Sequence, residues 1–132
     1  MHAQVLYRNS YITIQYDVVD DYLSAIWTGE QTGESIREGC ELILKHLARQ
    51  HGHKVLNDNT QVKGMWADAA DWVANNWLPR MQQAGCQYFA HVYSPDLYSR
   101  LSADKSFANG VKDLILTTFQ EKGPAQSWLK AM

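Results

Sequence analysis

The sequence lacks most of the features that settle a protein's class at sight. No apolar run approaches the ~20 residues of a membrane-spanning helix. The opening stretch, Met1 to Asn9, carries no apolar signal core, so a cytoplasmic location is expected. Basic residues are not in excess: 12 Lys and Arg stand against 14 Asp and Glu, a net charge of −2, so no positive field exists to hold a nucleic-acid backbone. The two cysteines, Cys40 and Cys86, are too few for a disulfide framework or a four-cysteine zinc site. Neither Gly-x-Gly-x-x-Gly nor a Walker run is present to cradle a phosphate, and no Gly-x-Ser-x-Gly marks a nucleophile. No cofactor is therefore expected. Linkers, low-complexity tracts and internal repeats are missing as well. What remains is 132 residues, 45% hydrophobic and 20% charged, the composition of a globular chain and the length of one domain spanning 1–132.

The hydrophobic pattern changes period along the chain. Val5 to Arg8 reads as a short strand, and Tyr11 to Tyr16 alternates with Ile12, Ile14 and Tyr16 on one side. Tyr22 to Thr28 alternates again, with Leu23, Ala25 and Trp27 sharing a face, which completes an antiparallel meander. A helical period follows: Ile36, Cys40, Ile43, Leu44 and Leu47 lie on one face, Trp27 is expected beneath them, Thr32 or Ser35 caps the start, and Ser35 with Glu38 fits a capping box. Gly52 is expected to close that helix in the left-handed conformation. Val55 to Asp58 reads as a strand that runs into a polar loop. A second helix is expected over 67–84, kinked near Trp77-Leu78 by Pro79. Tyr88 to Tyr93 is nearly continuously apolar, as in a central strand, and Ser94-Pro95-Asp96 starts a short helix with serine as cap and Leu97, Tyr98 and Leu101 on its face. Leu114 to Phe119 is the last strand, and Ala125, Trp128, Leu129 and Met132 mark a closing helix. The order βββ-α-β-α-β-α-β-α predicts an α/β fold whose mixed sheet begins antiparallel and continues through αβ units.

That order, with Trp27-Thr28-Gly29 at a strand end, Asp58-Asn59 after the next strand, Trp72 and Asn76-Trp77-Leu78-Pro79 on a helix and Gly85 before the central strand, resembles small bacterial STAS-like proteins of the anti-sigma-factor-antagonist type. The resemblance implies a STAS-like fold and a regulatory or protein-interaction role. It also implies a serine or threonine, usually in an Asp-Ser-Ser-Gly-like run, that a partner kinase phosphorylates at a helix start. Here the run is Asp58-Asn59-Thr60-Gln61, with no glycine. A phosphate on Thr60 would sit beside Asp58 without a helix dipole to receive it, so Thr60 is not expected to be a phospho-switch. STAS-like and lipid-binding Sec14-like domains share a broad sheet-and-helix layout, so a small apolar or lipid-like ligand is an alternative to a protein partner. A second copy of the chain is a candidate partner too.

Few residues suggest chemistry. His46, His51 and His53 could gather two or three nitrogens, but no Cys, Asp or Glu lies nearby to complete a zinc site, and with Lys45 and Arg49 they suit a helix C-terminus. His91, mid-strand, is a structural histidine unless an acid or nucleophile lies within reach. An enzyme using His91 or Asp58 is thus a further alternative. Cys40 falls on an apolar helix face and Cys86 has no base beside it. The aromatic residues are more suggestive. In open α/β sheets ligands meet the carboxyl ends of the strands, and Asp58, Asn59, Thr60, Trp66, Trp72, Ser94 and Tyr98 belong at that edge. The stretch from Asn59 to Trp66 reads as a long loop, with Trp66 and Trp72 offering apolar area to a partner.

Overall fold

The computed structural model describes residues 3–132; Met1 and His2, part of the stretch searched for a signal core, lie outside them. The chain runs through β1 (Ala3–Arg8), β2 (Ile12–Asp17), β3 (Tyr22–Glu30), α1 (Gly33–Gln50) and β4 (Lys54–Lys63). A helical passage in four pieces follows: a 3-10 turn (Ala67–Ala69), α2 (Ala70–Trp72), a π-helical stretch (Val73–Trp77) and α3 (Leu78–Gln83). Then come β5 (Tyr88–Val92), α4 (Leu97–Phe107), β6 (Ile115–Phe119) and α5 (Lys122–Ala131). The fold is α/β, in the element order that the hydrophobic periods predict.

The six strands form one sheet in sequential order, β1-β2-β3-β4-β5-β6. The first two pairings are antiparallel and the remaining three parallel. Each parallel strand lies beside its predecessor, so right-handed crossovers gather the connecting helices on one face. Ile36, Ile43 and Leu47 of α1 meet Val73, Trp77, Met81 and Phe89 there in the main core. The opposite face is covered by α5, whose Ala125 and Leu129 pack on Tyr22, Leu56, Ala90 and Val92. Val55, Leu56, Phe89, Ala90 and Val92 are all completely buried, as central-strand positions require. Trp27 does lie beneath α1. The helix approaches so closely that a Cβ on Gly39 would stand 2.3 Å from Trp27 Cη2.

Several local expectations are corrected. The capping box of α1 joins Thr32 to Ser35, since Ser35 Oγ itself accepts from the Thr32 N–H, and Glu38 takes no part. The left-handed residue that closes α1 is His51 (φ 53°), not Gly52. Gly52 is needed for proximity instead: a Cβ there would meet Leu47 Cδ1 at 2.9 Å. Pro79 does not break its helix sharply. The π-helical stretch before it widens one turn, with Leu78 N–H reaching back to Val73 O, which accommodates a ring that cannot donate. The cap of α4 is Asp96, whose carboxylate accepts from Tyr98 N and Ser99 N, and the helix extends to Phe107.

Candidate functional site

The largest difference from the sequence reading lies in β4. Asn57-Asp58-Asn59-Thr60-Gln61 has the composition of a loop, yet β4 continues to Lys63. Ile26 pairs with Asp58 and Thr28 with Gln61, so two residues, Asn59 and Thr60, lie opposite the single Trp27. This is a β-bulge, and one extra residue inverts the alternation of every side chain beyond it. Before the bulge Asn57 faces the main core, and after it Val62 rather than Gln61 does. The expected Asn59–Trp66 loop is thereby shortened to Gly64-Met65-Trp66.

The bulge builds a polar line into the apolar interior. Trp27 Nε1 donates to Asn57 Oδ1 at 2.8 Å. An indole N–H can only donate, so the Asn57 oxygen must face Trp27 and its amide nitrogen must face His91 Nδ1, 3.1 Å away. Nδ1 therefore accepts, and the ring proton sits on Nε2. The imidazole is fully buried, edge-on to Phe107 and Tyr93 with centroids at 4.9 and 5.4 Å. A second ring proton would oppose the Asn57 amide hydrogens. Burial pushes the His91 pKa down to about 3, against a smaller opposite pull from Asp58. A neutral, sealed imidazole has no route to an external substrate. Asp58 points to the other face of the sheet, where it accepts from Thr60 N and Thr60 Oγ1 and lies 3.6 Å from Lys122 Nζ. It is tied into structure as well.

The other expected site residues separate into two groups. Asn59, Trp66 and Ser94 are buried, Trp66 to within 3%. Trp66 sits inside the core, not at the rim. Ser94 Oγ donates to Val62 O and accepts from Asp96 N, which fixes the turn into α4. Trp72 and Thr60 are half-buried, Trp72 resting on the core from its edge. Tyr98 is exposed, and it has apolar company on the surface. Leu97, Tyr98 and Leu101 are 63%, 56% and 53% exposed, and Met65 is 59% exposed. The inner face of α4 is Ser99, Ser102, Ala103 and Ser106. Small side chains there let the helix approach the end of β4, where Ser99 Oγ donates to Gly64 O and Ser102 Oγ accepts from Trp66 N. Asp96 Oδ2 accepts from Gly64 N, and this contact, first among several backbone hydrogen bonds, holds the carboxyl below its ordinary range.

Beside the exposed leucines, an open cleft of ≈ 490 Å³ runs along the carboxyl ends of β4, β5 and β6, lined by Thr60, Tyr93, Ser94, Pro95, Arg100 and Gln120. Arg100 holds its guanidinium 4.6 Å above the Tyr93 ring and donates to Gln120 Oε1 at 3.1 Å. Among the described residues no carboxylate comes within salt-bridge distance of it. Arg100 and Gln120 carried no sequence signal; they meet only because α4 and the end of β6 converge. The histidines near α1 are separately engaged: His53 Nδ1 lies 3.0 Å from Gly85 O and His46 packs on Tyr7.

A six-stranded mixed sheet that starts as an antiparallel meander and adds helix–strand units gives the chain a SpoIIAA-like α/β fold. Among solved structures the chain is similar to an uncharacterised DUF3478-family protein with a SpoIIAA-like fold from Shewanella loihica PV-4. Identity is 19%, the TM-score is 0.57, and the match covers 94% of this chain and 98% of that one. It is also similar, more distantly, to SiaC of Pseudomonas aeruginosa, with 12% identity, a TM-score of 0.47 and coverage of 90% and 100%. No protein-family model matches the sequence, and no curated protein matches it. No helix among the described residues is long and apolar enough to cross a membrane.

Proposed function

We propose that the protein is a non-catalytic interaction module that docks a partner protein on the outward face of α4. The observation that carries this reading is the inversion of α4, which buries serines and presents Leu97, Tyr98 and Leu101 to solvent beside Met65. Grouped apolar side chains on a surface mark interaction sites more often than scattered ones do. The adjoining cleft supplies Arg100, whose charge no neighbouring carboxylate satisfies, so the partner segment carries apolar side chains next to an acidic group. Thr60 and Ser94 contribute to the cleft. The interior offers no ligand store, since its cavity of ≈ 20 Å³ is far below the few hundred Å³ of a small-molecule pocket, and the cleft of ≈ 490 Å³ beside α4 is open to solvent.

The test places a photo-crosslinking residue at Lys105, exposed on α4, or at Arg37, exposed on α1, in the source cells. A discrete adduct with another protein is expected from position 105 alone. It should disappear with Leu97→Ser plus Leu101→Ser and weaken with Arg100→Gln, while melting temperatures hold. Equal adducts from both positions, adducts insensitive to these substitutions, or an adduct only with a second copy of the chain would overturn the reading.

A further inference from the structure

Between the sheet and the π-helical stretch lies a small cavity of ≈ 20 Å³, lined chiefly by Trp27, Asn57, Asn59, Trp66, Val73 and Trp77. Two polar atoms on its walls have no protein partner: Trp66 Nε1 and Asn59 Oδ1. Both belong to residues at least nine-tenths buried, so bulk solvent does not satisfy them. The other indoles nearby are provided for, since Trp27 donates to Asn57 and Trp77 Nε1 donates to Cys40 O at 2.7 Å. The unmatched pair is complementary. An indole N–H is a donor with no accepting capacity, and an amide oxygen is an acceptor with none to give. A molecule that both accepts and donates would satisfy the two at once.

We infer that this cavity is a binding site for one structural water, which accepts the Trp66 Nε1 hydrogen and donates to Asn59 Oδ1. Size agrees with that class: ~10–15 Å³ of such space admits one water. Leaving two buried polar groups unpaired is worse than immobilising one water, so hydration is the favoured state. The site has a structural origin. Alternation from Val55 and Asn57 keeps Asn59 inward, the bulge moves the next inward side chain out to Val62, and the wide π turn brings both Val73 and Trp77 to the cavity wall without closing it. Each irregularity leaves a gap that regular strand or helix would fill. The water pins the end of β4 to the residue that opens the helical passage, the same corner on which α4 rests.

The experiment is a rotating-frame Overhauser measurement between water and the indole N–H groups of the ¹⁵N-labelled wild-type protein, with the Trp66 indole assigned through its own side-chain connectivities. A Trp66–water cross-peak with the sign of dipolar transfer is expected, with the Trp66 N–H exchanging slowly. Absence of the cross-peak, or a cross-peak with the sign of chemical exchange alone, would overturn the assignment. A crystal structure at a resolution that shows internal waters gives an independent reading. Density within hydrogen-bond distance of both Trp66 Nε1 and Asn59 Oδ1 supports the site, and a direct Trp66–Asn59 contact or an empty cavity refutes it.

Discussion

Gly39 and Gly123 both lie in helices, and replacing each by alanine should have very unequal effects on stability. Helix propensity alone favours alanine at either place, by up to ~1 kcal/mol in a helix interior and less in a first turn. At Gly123 in α5, a Cβ meets nothing within 4 Å. Pro124 follows directly, and its Cδ disfavours the helical region for a preceding residue that carries a Cβ, so Gly123→Ala should change stability by less than about 0.5 kcal/mol. At Gly39 the new methyl would stand 2.3 Å from Trp27 Cη2 and 2.5 Å from Cζ3, where carbon contacts belong at ~3.5–4.0 Å. Either α1 or the indole must retreat by more than an ångström. Trp27 is buried and its N–H is bonded to Asn57, so retreat also breaks the chain of bonds leading to His91. Overpacking of this kind destabilises by ~1–3 kcal/mol, and with one bond lost the upper half of that range outweighs the propensity gain. The net expectation for Gly39→Ala is a loss of about 1–2 kcal/mol, or roughly 3–8 °C in Tm for a chain this long. Urea and thermal melts of the two variants beside wild type would measure it. A Gly39→Ala protein as stable as Gly123→Ala would refute the placement of α1 on Trp27.

The same buried line has a pH signature. Between the unfolded His pKa of ~6.5 and the folded value of about 3, the unfolded chain takes up a proton that folded His91 refuses, so stability falls as pH drops through that window. The slope attributable to His91 approaches 1.4 kcal/mol per pH unit, and urea melts between pH 7 and 5 should show it reduced in His91→Gln; parallel slopes would contradict the sealed imidazole. Phe89→Ala should destabilise by about 3–5 kcal/mol, because the ring is fully buried edge-on to Trp77 and Phe107; a loss under 1 kcal/mol in urea melts would remove Phe89 from the core. Burial pushes the Cys86 thiol up to about 12 and holds Cys40 well above the ordinary thiol range, so both should resist thiol reagents until the protein unfolds. Rapid labelling of the native protein would show that the core opens.

Periodicity carried most of the fold into the sequence. The alternation of Ile12, Ile14 and Tyr16 and the helical spacing from Ile36 to Leu47 gave element type and order because burial is one-sided in both. It failed where a second constraint overrode the pattern. The polar run 57–61 looks like a loop because a bulge interrupts alternation and because Asn57 and Asp58 are buried by hydrogen bonding and not by apolarity. In α4 the sequence groups Leu97, Tyr98 and Leu101 on one face, and a helix usually buries its leucines. Here close approach to Gly64 and Trp66 demands small side chains, and serines occupy the contact. Of the expected edge, Thr60, Trp72 and Tyr98 reach the surface at least partly, whereas Trp66 became core because only three residues separate β4 from the first helical turn. Arg100 has no local signature and is placed by topology alone.

The sequential strand order bears on how the molecule assembles. Every strand pairs with the one made just before it, so no segment need wait for a distant part of the chain to find its neighbour. Each parallel addition closes over a single helical connection, and the entropy of closing such short spans grows slowly with their length. Low sequence separation between contacting elements goes with rapid folding. The exception is α5, which crosses beneath the sheet to cover Tyr22, Leu56, Ala90 and Val92, positions drawn from three different strands. Its docking surface exists only once those strands are aligned, so the lower face should be the last to dry, and an intermediate without α5 would expose it to its neighbours.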